Sequence, residues 1–138
     1  MWPFRRKRDP AVGPSGPENL GGRGEKLARR FLRKQGLKIL AQNYRCPVGE
    51  ADLIALEVSP APADAETIVF VEVKTRRDDR AADPESAVNP AKRRKLQRVA
   101  EYYLAAREVR GYAVRFDVVA VLLRPRAKPQ IRHIPSAF

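Results

Sequence analysis

β-Branched and aromatic residues dominate residues 67–75, and this composition predicts a strand near the centre of a sheet. Because side chains alternate along a strand, Ile68 and Phe70 share one face with Glu72 and Lys74, while the valines between them share the other. A strand that is apolar on both faces at its start is typical of a sheet that is covered on both sides. We therefore expect two charged side chains to lie at the end of a largely covered face.

The other elements follow from periodicity and from turn residues. Glycines lead into a first predicted helix, and Asn89-Pro90 is typical of a helix start, with Asn as the cap and Pro in the first turn. The predicted elements are a helix over 24–35, strands over 37–45, 50–58 and 67–75, a helix from Asn89 to Gly111, and strands over 112–123 and 130–135. This order predicts an α/β fold, a three-layer α/β/α arrangement with a central mixed sheet of about five strands, in which 37–45 and 130–135 lie at the edges.

Composition sets the domain organisation and the class of partner. Residues 1–19 predict a flexible basic tail rich in Pro and Gly, and residues 20–138 a single domain. The tail contains four basic and two acidic residues, so +10 of the net charge of +12 belongs to the domain. A domain this basic favours a polyanionic partner, nucleic acid above all, over a merely soluble basic protein. Few aromatic residues are available to stack single-stranded bases, which favours duplex DNA over RNA without excluding RNA.

The composition also excludes several kinds of chemistry and location. Cys46 is the only cysteine and His133 the only histidine, so an internal disulfide, a Cys-rich zinc site and a multi-histidine metal site are excluded. The start of the chain lacks the apolar run of a secretory signal, and no stretch is long enough to span a membrane. We expect a cytoplasmic protein whose chemistry, if any, uses carboxylates, lysines and oxygen-binding metals.

Cations crowd the first turns of the second predicted helix, where they oppose the helix dipole and repel one another. Phosphate groups of a nucleic acid would offset both penalties, whereas the alternative is an ordinary solvated face. The cations are Lys92, Arg93, Arg94, Lys95 and Arg98. The loop over 75–88 precedes this helix, and either ordering on a ligand or plain disorder is compatible with its charged, aperiodic sequence.

A carboxylate–lysine cluster is the candidate catalytic site. Asp52 lies near the start of the strand before Glu72 and Lys74, and a hairpin of the two strands would bring all three to one end of the sheet. Two carboxylates suit Mg²⁺ or Mn²⁺, which can bind a scissile phosphate and acidify water. Lys74 would orient the water or stabilise the pentacovalent phosphate. The alternative is an ion pair at the strand end without catalytic meaning.

Three further polar residues have less specific interpretations. Glu25 leans toward the core side of the first helix, either as a first-turn acid that favours the helix dipole or as a third carboxylate of the cluster. Asp117 interrupts an apolar strand and is expected to pair with Arg115 or another nearby base, with a metal role as the minor alternative. His133 is expected to be structural.

Several motifs together resemble the YraN family of small bacterial proteins, over roughly residues 20–138. The motifs are Gly24-Glu25-x-Leu27-Ala28, Gly49-Glu50-Ala51-Asp52-Leu53-Ile54, Val69-Phe70-Val71-Glu72-Val73-Lys74-x-Arg76, Arg115-Phe116-Asp117-Val118-Val119, and His133-Ile134 with Ala137-Phe138. That family is similar to the restriction-endonuclease-like PD-(D/E)xK superfamily and, within it, to archaeal Holliday-junction resolvases. Ala51 departs from the superfamily pattern, which often has Pro there.

The resemblance implies a metal-dependent nuclease with Asp52, Glu72 and Lys74 in the motif positions and Glu25 as a fourth catalytic member. Arg76, which ends one of the motifs, joins the helix cations as an expected contact to nucleic acid. Asp52 and Glu72 are the expected ligands of Mg²⁺ or Mn²⁺.

Three functions remain open from the sequence. The first is an endonuclease that hydrolyses phosphodiester bonds in DNA, with branched or structured DNA among its substrates. The second is a nucleic-acid-binding module with a vestigial nuclease site, and the third is a scaffold for protein interactions. A homodimer would suit a symmetric junction, although no feature of the sequence indicates an interface.

Overall fold

A computed structural model describes residues 20–58, 66–77 and 89–138 of the chain. The elements are α1 (Leu20–Lys34), β1 (Lys38–Cys46), β2 (Gly49–Glu57), β3 (Thr67–Arg76), α2 (Pro90–Ala106), β4 (Ala113–Leu122) and β5 (Gln130–Ile134). The predicted tail over 1–19 lies outside these residues, as does most of the two loops predicted over 59–66 and 75–88. In the described ranges no helix is both long enough and apolar enough to cross a bilayer.

The five strands form one open mixed sheet in the order β1-β2-β3-β4-β5. β3 and β4 are parallel, and the other neighbours are antiparallel. The connection between β3 and β4 contains α2, as a parallel crossover requires. The predicted hairpin of the second and third strands, the central place of the third and the edge positions of the first and last are confirmed.

Each face of the sheet is covered by one helix. Ala28 and Leu32 of α1 pack with Val69 and Val71 of β3. On the other face, α2 packs with Ile68 and Phe70, the residues that alternate with those valines, through a buried stripe formed by Leu96, Val99, Ala100 and Tyr103. The predicted three-layer α/β/α arrangement is therefore confirmed.

Aromatic rings hold α2 in a fixed position over β3 and β1. The fully buried Tyr103 meets Phe70 edge to face at 5.7 Å between ring centroids, and it meets Tyr44 at 5.2 Å. Phe116 stacks on Phe70 from β4. Edge-to-face pairs at these distances contribute about 0.5–1.5 kcal/mol each beyond the area that they bury. The fixed position of α2 matters for the site, because the first turns of this helix carry the predicted cations.

Both helices differ from their predicted bounds. α1 begins at Leu20 rather than at residue 24, so Gly24 lies within the helix rather than before it. α2 ends at Ala106 rather than at Gly111, because the amide of Val109 bonds back to the carbonyl of Leu104 and Glu108 adopts a φ of 52°. A helix commonly ends in a residue with positive φ, usually glycine, and here that residue is Glu108 rather than the predicted Gly111.

Gly24 is the point of closest approach between α1 and β3. Gly24 is buried, and a Cβ built on it would overlap the Oγ1 of Thr75 and lie 2.8 Å from the Thr75 Cβ. Only a residue without a Cβ allows the helix to lie this close to the strand. This contact positions the start of α1, and Glu25 with it, next to the end of β3.

We expect Gly24→Ala to lower the free energy of unfolding by about 1–3 kcal/mol, since overpacking at a rigid contact forces a backbone shift. Urea denaturation measures the change. The double variant Gly24→Ala/Thr75→Ala, which removes the overlapping hydroxyl and methyl groups, should recover part of the loss. A single variant as stable as the wild type would show that α1 does not need this close approach.

Candidate functional site

The candidate site forms where β2 separates from β3. Backbone pairing between the two strands ends at Leu53 and Val71. Beyond that pair, the amide of Val73 donates to Oδ2 of Asp52 at 2.8 Å. A side chain thus replaces the backbone partner that a continuing β2 would supply, and the strands diverge without leaving this amide unpaired.

Glu72 and Lys74 lie on the same side of this divergence. Lys74 Nζ is 3.3 Å from Glu72 Oε1, and the two side chains are only 18% and 24% exposed. Asp52 and Glu72 line one cavity, and each is within electrostatic range of the other. The structure brings together the three residues that were predicted to form the cluster.

Burial and neighbouring carboxylates both act on Asp52. Removal from water is the larger cause and the negative charge of Glu72 the second; together they raise the pKa of Asp52 from 3.8 to about 7. The hydrogen bond from the Val73 amide favours the charged form but does not outweigh them. Asp52 therefore lies where its charged form is disfavoured both by burial and by a neighbouring carboxylate.

Glu25 reaches the same group of carboxylates from α1. Its pKa is raised, first by burial and then by Glu50 and Glu72, although a hydrogen bond with Asn43 acts in the opposite direction. Because α1 begins at Leu20, no acidic residue lies in its first turn. The interpretation of Glu25 as a dipole-stabilising first-turn acid is therefore wrong, and its position is that of a further carboxylate beside the cluster.

Glu50 belongs to the predicted motif but is not among the predicted site residues. It lines the cavity, raises the pKa of Asp52, and pairs with Arg45 at 3.5 Å on an exposed part of the hairpin. Its place directly before the Ala51-Asp52 motif was the available signal. Alternation also supports it, because Glu50 and Asp52 are two residues apart on β2 and therefore share a face.

The cavity has a volume of about 580 Å³ and opens to solvent between the β1–β2 hairpin and α2. One wall carries the carboxylates and the other carries cations from the first turns of α2. It is lined by Arg45, Cys46, Pro47, Val48, Gly49, Glu50, Asp52, Glu72, Lys92, Lys95 and Leu96. The volume lies in the range of small-molecule pockets and exceeds what one hydrated ion needs.

The remaining predicted cations are not among the described residues that line this cavity. Arg94 and Arg98 are exposed on α2, whereas Arg93 is half-buried with its guanidinium 5.4 Å from the ring centre of Phe138. Arg76 is half-buried at the end of β3, and its Nε is buried without a hydrogen-bond partner among the described residues. An unsatisfied buried guanidinium nitrogen is costly and is the kind of group that an anionic ligand can satisfy.

The carboxylates of Asp52 and Glu72 suit a hard divalent cation only in an open site, one that water and substrate complete. Across residues 20–58, 66–77 and 89–138, no group of three or more His, Cys, Asp or Glu side chains is placed to hold a metal ion. Asp52 and Glu72 instead form a pair. Mg²⁺ commonly uses only one or two carboxylates and completes its shell with water and substrate phosphate. The residues present fit such an open site and do not fit a closed structural one.

A second buried carboxylate lies on the opposite face of the sheet and is fully satisfied. Asp117 is 0% exposed; it pairs with Arg115 at 2.8 Å, with Nε2 of His133 at 2.7 Å and with the amide of Ser136 at 3.0 Å. Arg115 in turn donates to Glu57 at 2.8 Å. Burial alone would raise the pKa of Asp117, but these hydrogen bonds outweigh it and leave the pKa below its usual value. The predicted pairing with Arg115 is confirmed, and His133 supports the same carboxylate.

Comparison with known proteins gives one consistent family. Residues 24–121 match the model of the family described as Uncharacterised protein family UPF0102. The chain is 45% identical to a UPF0102 protein of Nocardia farcinica over 86% of this chain and 88% of that one. It is 42% identical to a UPF0102 protein of Pelobacter propionicus over 87% and 82% of the two chains, and 42% identical to one of Mycolicibacterium vanbaalenii over 89% and 96%.

The raised pKa of Asp52 predicts that its charge destabilises the fold. Its pKa is about 7 in the folded state and 3.8 ordinarily, so the folded state holds a proton that the unfolded state lacks between those values, and stability falls as pH rises through that window. Asp52→Asn should therefore raise the free energy of unfolding at pH 8 by on the order of 2 kcal/mol, and by much less at pH 4. Urea denaturation in metal-free buffer at both pH values measures the difference.

Asp117→Asn is the matched control, since it makes the same change at a buried carboxylate whose pKa is lowered. That carboxylate stabilises the fold above its ordinary pKa and loses the effect only as pH falls through its folded pKa. We expect this variant to lose about 3–5 kcal/mol at pH 8, the cost of breaking a buried pair. Loss of stability at pH 8 in Asp52→Asn as well would contradict the assignment of Asp52 as an uncompensated charge.

Proposed function

Starting from the fact that this chain belongs to the UPF0102 family, the YraN family, we propose that it is a Mg²⁺- or Mn²⁺-dependent endonuclease that hydrolyses phosphodiester bonds in DNA. Branched or otherwise structured DNA is its proposed substrate class, and its proposed location is the cytoplasm. The resemblance to Holliday-junction resolvases supports a homodimer, because a symmetric junction presents two equivalent strands.

The observation that carries this proposal is the pair of mutually repelling carboxylates Asp52 and Glu72 in a cavity whose other wall is cationic. Two partly buried carboxylates that repel each other cost stability, and a fold selected only for stability would replace one of them. A divalent cation offsets the repulsion, and the cations of α2 offset the charge of a phosphate backbone. The carboxylates and the cations thus have one common explanation.

Asp52 and Glu72 would hold the metal, which when bound supplies Lewis-acid stabilisation of the phosphate and a more acidic water. In the hydrolysis, the oxygen of a water molecule bonds to phosphorus and the bond from phosphorus to one sugar oxygen breaks. The products are a phosphate monoester and a hydroxyl end, between which the two protons of the water are shared. Lys74, held by Glu72 at 3.3 Å, orients the phosphate or the water. Glu25 adds negative charge beside the pair, and its hydrogen bond with Asn43 links α1 to β1.

A non-catalytic nucleic-acid-binding module is the second candidate. The observation in its favour is that the described residues contain no group of three or more side chains placed to hold a metal ion. Such a module would use the exposed cations of α2 and the unsatisfied Nε of Arg76, and it would retain the acidic pair as a relic of a nuclease site. The two candidates differ in whether the acidic pair binds an ion and whether DNA is cut.

Cleavage of a substrate panel tests the catalytic proposal. With Mg²⁺ or Mn²⁺, the wild type should cut at least one of four-way junctions, flaps, single strands and duplexes. Asp52→Ala and Lys74→Ala should lower the cleavage rate by about 100-fold or more, because each removes a group that contacts the reacting phosphate or its metal. The matched control is Asp117→Ala, which is expected to lose stability but to cleave at the wild-type rate while folded. Equal rates for the wild type and both site variants would reject the proposal.

Titration calorimetry with Mn²⁺ separates the two candidates without any substrate. At pH 8 Asp52 is mostly ionised, so the wild type should take up Mn²⁺ with a heat that Glu72→Ala and Asp52→Asn abolish. Glu57→Ala, which removes a carboxylate on the far side of the sheet, should leave the heat unchanged. An absence of specific uptake by the wild type would favour the non-catalytic module.

A further inference from the structure

Lys92 is one of two α2 cations, with Lys95, that line the cavity. It lines the cavity together with Asp52 and Glu72, and it lies within hydrogen-bonding range of Lys74. Arg94 and Arg98, on the same helix, are exposed and are not among the described residues that line this cavity. Lys92 thus borders the carboxylates and Lys74 together, whereas Arg94 and Arg98 lie outside the cavity.

The backbone around Lys92 is fixed. Its amide donates to Oδ1 of Asn89 at 3.0 Å, which caps the start of α2. One turn later Leu96 is buried against the sheet, followed by Val99. The side chain of Lys92 therefore projects over the end of β3 from a rigid turn, and the contact with Lys74 does not depend on a mobile segment.

Lys74 and Lys92 both require a hydrogen-bond acceptor that neither can supply to the other. An ammonium has three donors and no acceptor, so Lys74 and Lys92 cannot satisfy one another. In agreement with this, the nearby Lys74 holds the pKa of Lys92 below its usual value. An anionic oxygen between them would accept a hydrogen bond from each and remove their repulsion.

Glu72 supplies part of that negative charge in the structure, at 3.3 Å from Lys74. Glu72 is also one of the two carboxylates that would hold a divalent cation. A carboxylate shared with a cation attracts the lysines less, because the charge of the cation offsets its own. The two lysines then require another anion as hydrogen-bond acceptor. The phosphate of a nucleic acid bound at Asp52 and Glu72 would supply it.

We propose that Lys74 and Lys92 form a two-lysine clamp for the non-bridging oxygens of the phosphodiester at the carboxylate site. In this arrangement Lys92 is a catalytic residue supplied by α2, and Arg94 and Arg98, which lie outside the cavity, contact phosphates farther along the strand. The catalytic part of this inference rests on the proposed nuclease function. The phosphate-binding part does not, and it can be tested separately.

The first experiment compares Lys92→Ala with Arg94→Ala, which removes the same charge from the same helix outside the cavity. Single-turnover cleavage of the preferred substrate measures catalysis, and equilibrium binding of the same DNA in Ca²⁺ measures affinity. Lys92→Ala should lower the single-turnover rate about 100-fold, the usual effect of losing one donor to a developing charge. Arg94→Ala should weaken binding by about as much as Lys92→Ala and should keep nearly the wild-type rate at saturation.

Lys92→Met retains the apolar stem without the charge and should lose as much rate as Lys92→Ala, which a purely structural role for the stem would not explain. Lys92→Arg, in contrast, retains the charge and should recover part of the rate. Equal single-turnover rates for Lys92→Ala and Arg94→Ala would overturn the catalytic assignment of Lys92.

The second experiment needs no cleavage. The ¹³Cε resonances of selectively labelled lysines report on Lys74 and Lys92 while thymidylyl-(3′→5′)-thymidine, which has one phosphodiester, is titrated into the protein in metal-free buffer and again in Ca²⁺. The two resonances should shift together along one saturation curve, and Lys92→Ala should abolish the shift at Lys74. Independent shifts, or none, would overturn the clamp. Coupled shifts in a protein that cuts no DNA would keep the clamp and reject the nuclease.

Discussion

The hydrogen bond from the Val73 amide to Asp52 is the interaction on which the site depends. A sheet that simply continued would pair β2 with β3 through their backbones and would leave no cavity at this end. Because the carboxylate accepts from the amide in place of a backbone carbonyl, β2 can separate from β3 without leaving a buried donor unpaired. The same bond holds Asp52 next to Glu72, because Val73 directly follows Glu72 on β3.

The fold supplies the rigidity that this arrangement requires. β3 is covered by α1 on its valine face and by α2 on the face of Phe70, so the strand that carries Glu72 and Lys74 has little freedom to relax. Gly24 brings α1 against the end of β3, and the ring contacts of Tyr103 seat α2 over the other face. Repulsion between the carboxylates is thus opposed by packing on both sides and is not relieved by movement.

The sequence predicts the layers and the strand order because those follow from local patterns. Alternation places Phe70 and Glu72 on one face, and the Asn89-Pro90 start fixes the beginning of α2 within one residue. The helix ends are less well predicted, since Gly24 is a packing glycine whose role depends on Thr75, a residue distant in the chain. Sequence patterns cannot distinguish a glycine that starts a helix from one that lets a helix approach a strand.

The candidate site shows the same division. Asp52, Glu72 and Lys74 are predictable because they lie on two strands that form a hairpin. Alternation places Glu50 on the face of Asp52, but the approach of Lys92 to these carboxylates is not predictable, since it depends on how the β1–β2 hairpin and α2 enclose the cavity. Glu25 was assigned two roles from its position in the helix, and only the longer observed helix decides between them.

Asp52 and Asp117 show why burial of a carboxylate does not by itself indicate function. Both are aspartates on internal strands of the same sheet. Asp117 receives hydrogen bonds from Arg115, His133 and the Ser136 amide, and these partners hold its pKa low despite complete burial. Asp52 has one amide and three neighbouring carboxylates, those of Glu72, Glu25 and Glu50, and its pKa rises to about 7. What distinguishes Asp52 from Asp117 is that its neighbours are carboxylates, so a bound cation would reduce the repulsion that helps to raise its pKa.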